Sequence, residues 1–274
     1  MHYVDEGEGP PIVMVHGTPV WSFLYRNLIK ILRKKYRCIA MDMLGFGLSD
    51  KPKDWSYKPR AHAANFEQLM EHLKLKDITL LVHDFGAPIG FAYAIRHPEK
   101  VSKIVMLNSW TWSLSKHQTL SGTSKYLVGP LGKFLHSKLN VPTHTLIDEL
   151  FEGKEKMPEQ IRQHYVNALG SPNDNVSTLS FARELVGITR WYEELWKGRQ
   201  KIQDIPTLIL WGERDKLIQK GALLSWKKFF HESYVIPFEG CGHFLQEESA
   251  EEIANYVSNF VQEESKKREL VHHH

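Results

Sequence analysis

The run Ile78-Thr79-Leu80-Leu81-Val82 is apolar enough for a fully buried strand, and beyond His83-Asp84-Phe85 the spacing becomes that of a helix, Gly86 to His97. A buried strand that turns this sharply into a helix belongs to a parallel sheet with helical crossovers. The turn lifts its central side chain above the carboxyl edge of the sheet, where the first helical N–H groups point. Here that side chain is a carboxylate, Asp84. A serine at the apex must be deprotonated before it attacks an acyl carbon, whereas an aspartate is already ionised at neutral pH and displaces a leaving group from saturated carbon directly. The product would be an ester on the chain, to be cleaved by water. Aspartate after a strand is more commonly a helix cap, so Asp84 alone favours the cap, and the case for a nucleophile rests on further features.

Three further segments narrow the choice. His16-Gly17-Thr18-Pro19 follows the apolar run Ile12 to Val15, and a glycine turn there presents a backbone N–H toward the elbow. With the N–H of Phe85 it would make a two-donor oxyanion hole. Leu208 to Trp211 is another short strand, running into Gly212-Glu213-Arg214-Asp215, and Gly240-Cys241-Gly242-His243-Phe244 places a glycine-flanked histidine before an amphipathic helix spanning about Glu247 to Val261. Asp, Asp, His is the chain order of nucleophile, acid and base in α/β-hydrolases.

These motifs, together with Asp42-Met43-Leu44-Gly45-Phe46-Gly47-Leu48-Ser49-Asp50-Lys51-Pro52, resemble α/β-hydrolases of the haloalkane dehalogenase and epoxide hydrolase branch from about Tyr3 to Val261. The resemblance implies Asp84 as nucleophile, His243 as base, Asp215 as its orienting acid, oxyanion donors from Thr18 and Phe85, and a cis peptide before Pro19. It implies neither cofactor nor metal. Members of this branch carry a further edge strand ahead of the segment like Met1 to Asp5, so the chain is expected to open almost inside the second strand.

The expected architecture is an α/β-hydrolase fold: a mostly parallel sheet, helices on both faces and an inserted helical cap. Strand-like and helical patterns alternate (Ile12–Val15, Val20–Leu32, Cys38–Met41, Ala61–Leu73, Ile78–Val82, Ala87–Arg96, Ile104–Leu107), as a sheet covered on both faces requires. The alternation stops from about Trp110 to Lys197, a stretch rich in Trp, Tyr and Leu and broken at Gly129-Pro130, Val141-Pro142, Met157-Pro158 and Ser171-Pro172, and it resumes at Pro206. Residues 1–109 and 201–271 are therefore expected to form one core, with 110–200 as a cap over the carboxyl edge. Tyr165 and Thr178-Leu179-Ser180-Phe181-Ala182-Arg183-Glu184 resemble dehalogenase cap sequence. His272 to His274 read as a tag remnant.

A formal charge of +3 without a basic, aromatic-interleaved stripe argues against nucleic acid, and Lys266-Lys267-Arg268 reads as a solvated helix end. No apolar run reaches the roughly 18 residues of a membrane span, and Asp5, Glu6 and Glu8 do not fit a signal peptide. A cytoplasmic monomer or weak oligomer acting on a small apolar organic substrate and water is expected. Two cysteines, Cys38 and Cys241, make no disulfide framework; Cys241 lies near His243, but no elbow presents it as a nucleophile.

Neighbouring residues favour the dehalogenase side of the branch, because epoxide hydrolases usually have an aromatic residue at Thr18 and a glycine at Val82. Asn108 falls where one dehalogenase subgroup has its acid, which an amide cannot replace, leaving Asp215. Dehalogenases also place tryptophan after the nucleophile and asparagine in the oxyanion loop as halide donors. Phe85 and Thr18 stand there instead, and each missing donor costs about 10²–10³ in rate by analogy with oxyanion donors. The candidate pocket comprises Trp21, Asn108, Trp110, Trp112, Phe151, Tyr165 and Phe244. For the epoxide hydrolase alternative, Tyr126, Tyr165 and Tyr192 are candidate O–H donors. A third reading, a pocket that binds a small ligand without turnover, leaves Asp84, Asp215 and His243 together unexplained.

Overall fold

A computed structural model of the protein describes residues 1–112, 147–148, 151, 157–168, 176–184, 190–218 and 220–272. Its strands are β1 (Tyr3–Glu6), β2 (Pro11–Val15), β3 (Arg37–Met41), β4 (Ile78–Asp84), β5 (Val101–Ser109), β6 (Thr207–Gly212) and β7 (Tyr234–Phe238). The described helices are α1 (Arg26–Leu32), α2 (Pro59–Leu73), α3 (Gly86–Arg96), α4 (Glu159–Ala168), α5 (Val176–Glu184), α6 (Arg190–Gly198), α7 (Lys220–Phe229), α8 (Leu245–Glu248) and α9 (Ala250–His272).

The strands form one seven-stranded sheet in the order β1-β3-β2-β4-β5-β6-β7. Only β1 runs antiparallel, as the edge strand beside β3. Central parallel strands are buried on both faces and need continuous apolar sequence, and every residue of β4 and β5 is buried. Alternate residues serve opposite faces: Val13, Val15, Leu80 and Val82 pack against α2, α3 and α7, whereas Ile12, Met14 and Leu81 pack against α1 and α9. Strand order reverses between β2 and β4, so the chain leaves these neighbours in opposite directions and opens a crevice at their carboxyl ends. Val15 pairs with Val82, which brings the turns after β2 and β4 side by side.

Two helical expectations are corrected. The helix expected over Val20–Leu32 begins late: Trp21 is extended, Ser22–Tyr25 is a 3-10 turn and only Arg26–Leu32 is α-helical. The helix expected from about Glu247 is two helices, broken where Ser249 leaves helical geometry. Within 110–200 the described residues include α4, α5 and α6 and no strand. Gly129-Pro130, Val141-Pro142, Ser171-Pro172 and Tyr126 lie outside the described residues, as do the side chains of Lys266-Lys267-Arg268 and of His272 and the whole of His273 and His274. No helix among the described residues is long and apolar enough to cross a membrane.

Candidate active site

Asp84 ends β4 with φ of 54°, a left-handed conformation that a non-glycine residue adopts at a cost of about 1–3 kcal/mol. The surroundings hold it there. A Cβ on Gly86 would lie 2.0 Å from the Val15 carbonyl oxygen, and one on Gly17 would lie 2.0 Å from Asp84 Oδ1, so only glycines allow the two turns to approach this closely. The helix-cap reading of Asp84 is not met: Phe85 occupies the N-cap position of α3, which has no side-chain cap. Asp84 Oδ1 instead accepts a hydrogen bond of 2.9 Å from the Thr18 N–H. Oδ2 has no hydrogen-bond partner among the described residues and faces His243 Nε2 at 3.5 Å, with both side chains fully buried. The Thr18–Pro19 peptide is cis.

His243 reaches Asp84 from the loop after β7, and its Nδ1 donates to Asp215 Oδ2 at 2.8 Å. Asp215 leaves β6 through a turn that aims the Leu217 and Ile218 N–H groups at Oδ1, at 2.7 and 2.9 Å. Asn108 Nδ2 donates to Asp215 Oδ2 at 2.7 Å and to the Gly212 carbonyl at 3.0 Å, and its Oδ1 accepts from the Gly212 N–H at 2.7 Å. Asn108 thus ties the end of β5 to the turn carrying the acid. Burial opposes ionisation of Asp215, but the charge and hydrogen bond of His243, with further bonds from Ile218 and Asn108, hold its pKa below the usual value. Burial also opposes the charged form of His243, yet Asp215 and then Asp84 raise its pKa to about 10.

Phe85 is fully buried, edge to face with Trp110 at 4.8 Å and with Phe181 of α5 at 4.5 Å. Phe244 packs on His243 at 5.2 Å. Trp21 stacks on Phe23 at 5.4 Å, and its buried Nε1 has no hydrogen-bond partner among the described residues. Tyr165 of α4 packs on Phe23 and donates its hydroxyl to Glu247, which also pairs with Arg26. Phe151 is half-buried against the α1 and α9 face of the core. Trp112 contacts Trp196 at 5.0 Å and Trp226 at 5.1 Å. The Tyr192 hydroxyl of α6 is buried without a hydrogen-bond partner among the described residues; burial, then the charges of Glu184 and Asp84, push its pKa well above the usual value. Burial likewise raises the Cys241 thiol, which faces Ser249 Oγ at 3.2 Å and is no thiolate nucleophile.

Asp84, Thr18, Phe85, Asp215 and His243 therefore come together at the carboxyl edge of the sheet, with Asn108 behind Asp215. Reasoning from sequence missed His83, whose Nε2 lies 2.9 Å from the His243 carbonyl oxygen. Its only signal was its place beside Asp84 in a strand otherwise nearly all apolar.

The family model described as alpha/beta hydrolase fold matches residues 10–250. The chain is 34% identical over 272 residues to a cis-3-alkyl-4-alkyloxetan-2-one decarboxylase of Shewanella oneidensis, covering 96% of this chain and 85% of that protein. It is 29% identical over 266 residues to haloalkane dehalogenase 2 of Mycobacterium tuberculosis, covering 93% and 88%. The crystal structure of the haloalkane dehalogenase DbeA from Bradyrhizobium elkani superposes with a TM-score of 0.88 at 22% identity, covering 97% and 94%.

Proposed function

The chain belongs to the alpha/beta hydrolase fold family, and from that premise we propose that it is a hydrolase in which Asp84 attacks carbon to form an ester that water then cleaves. The observation that carries this reading is the buried, unpartnered Asp84 Oδ2, 3.5 Å from His243 Nε2, while Oδ1 is held by the Thr18 N–H. An ionised carboxylate needs no base for its attack. In the first step Oδ2 bonds to the substrate carbon and the leaving group departs with its electron pair. In the second, water adds to the Asp84 carboxyl carbon while His243 takes its proton, and the alcohol leaves. The Thr18 and Phe85 N–H groups would stabilise the oxyanion between these events.

Electrostatics order the two steps. In the free enzyme the neighbouring Asp215 and Asp84 both raise the pKa of His243 against the effect of burial. Ester formation neutralises Asp84, removes one of those two charges and lowers the affinity of His243 for a proton; any Nε2 proton then passes with the leaving group to solvent, and Nε2 is free to accept one from water.

Two leaving groups are compatible with the site. Carbon–halogen hydrolysis in a small apolar substrate is the reading favoured by the dehalogenase relatives. The unpartnered Nε1 of Trp21, on the loop carrying Thr18, is a candidate N–H donor for the halide where Phe85 has none. A carbon–oxygen bond is favoured by the buried, unpartnered Tyr192 hydroxyl, whose proton suits an alkoxide or carboxylate leaving group. Epoxides present such a bond, as does the four-membered ring named for the Shewanella relative. Tyr165 is already engaged by Glu247.

Bromoalkanes, epoxides and dialkyl oxetan-2-ones, with halide, diol and 3-hydroxy acid measured separately as the hydrolysis products, distinguish these substrates, and carbon dioxide from the oxetan-2-ones would mark a non-hydrolytic outcome. With a turned-over substrate, His243→Phe is expected to accumulate a stable adduct on the peptide containing Asp84, seen by intact-protein and peptide mass spectrometry. An adduct on Cys241 or on a hydroxyl residue, or none at all, sinks the mechanism.

A further inference from the structure

We propose that His83 is a positioning residue for the base, anchoring the His243 loop so that its imidazole stays aimed at Asp84; this rests on the Asp84 ester reading above. His83 is fully buried beside the elbow, with its ring 4.6 Å from that of His243 and 6.2 Å from that of Phe244. Its Nε2 lies 2.9 Å from the His243 carbonyl oxygen, and because a carbonyl only accepts, Nε2 carries the hydrogen. Nδ1 is then a bare acceptor, buried and without a partner. Leucine in this strand position would carry no bare acceptor of its own but would deprive the His243 carbonyl of this donor. What histidine adds is the one bond from β4 to the backbone of the base.

That bond joins two arms of the site that are otherwise far apart in sequence. Asp84 and the anchor of His243 become consecutive residues of one strand, so the 3.5 Å separation of Oδ2 and Nε2 is set through a single covalent segment. Burial, followed by the charge of His243, lowers the pKa of His83 to about 3. His83 therefore stays neutral, neither competing for the proton of His243 nor repelling its cation. Attack by Asp84 on carbon does not use His243, but cleavage of the ester does. Losing the anchor should slow the second step and spare the first.

The test is single-turnover mass spectrometry of the full chain, with the ester followed as it forms and decays in the parent, His83→Leu and His83→Gln. In His83→Leu, ester formation should stay within a few-fold of the parent while decay slows by about 10²-fold, the scale of a misplaced catalytic group. Glutamine keeps an N–H donor and should recover most of the decay rate. Equal slowing of both steps, unchanged decay in His83→Leu, or a glutamine variant as slow as leucine would each overturn the proposal. Near-UV circular dichroism establishes that the variants fold. A second readout needs no substrate: the low-field proton resonance of His243 Nδ1–H bonded to Asp215 should broaden or vanish in His83→Leu and persist in His83→Gln. If His243→Phe traps no ester, the mechanism above has failed; an unchanged resonance in His83→Leu then overturns the anchoring role independently.

Discussion

Asp215 is held from two sides, by backbone N–H groups on Oδ1 and by His243 and Asn108 on Oδ2. The backbone bonds tie it to the start of its own turn, so its amide analogue keeps much of the local geometry. In the mechanism proposed above, its charge would also balance the imidazolium formed when His243 takes a proton from water. Asp215→Asn is therefore expected to fold but lose about 10⁴ in turnover, with the loss falling on ester cleavage in a stopped assay. Glu213, the nearest other carboxylate in sequence, is engaged with Lys220 at 3.4 Å and should provide no rescue. Near-parental turnover in Asp215→Asn would show that another group orients the base.

At the scale of elements, the elbow was legible because it is local: a buried strand, a tight turn and a helix lie within one stretch, and Gly86, one of the two glycines that permit the close approach, follows it directly. The strands carrying Asp215 and His243 were legible for the same reason. What joins these elements was not, since the Asn108–Gly212 bonds and the Tyr165–Glu247 bond link residues far apart in the chain. Packing was equally hidden: Phe85, read as a missing halide donor, is enclosed between Trp110 and Phe181, so a larger ring there would cost about 1–3 kcal/mol in overpacking. The Tyr165 bond clasps α4 to the segment just after His243, through a glutamate that Arg26 also holds. Tyr165→Phe removes a hydrogen bond to a charged group and should lower stability by about 1.5–3 kcal/mol, read from urea unfolding. Because Arg26 still pairs with Glu247, the Asp84 ester should form and decay at close to parental rates. Unchanged stability would mean the clasp contributes nothing.

Across the whole molecule, the two-faced sheet that builds the site also buries histidines as neutral groups, which makes the fold sensitive to acid. His62 is caged by Trp55 at 4.8 Å and Phe181 at 5.1 Å, and His83 lies under His243. Burial first, then a neighbouring histidine, lowers both pKa values from 6.5 to about 3. A group whose pKa is lower in the folded state contributes stability that is complete above its unfolded value and is lost as pH falls toward its folded value. Between about pH 6 and pH 4 the unfolded chain thus binds two protons that the native chain excludes, and stability should fall by about 2.7 kcal/mol per pH unit. His16, buried and also lowered, acts in the same direction. His243 acts oppositely: its raised pKa contributes stability below 6.5 that is lost only as pH rises through about 10, outside this window. Urea unfolding at a series of pH values from 7 to 4.5 measures the slope, and His62→Phe, which keeps an aromatic ring in the cage, should remove about 1.4 kcal/mol per pH unit of it. A stability that stays flat from pH 7 to 5 would mean that these histidines titrate in the native state and that the core around the site admits their charge.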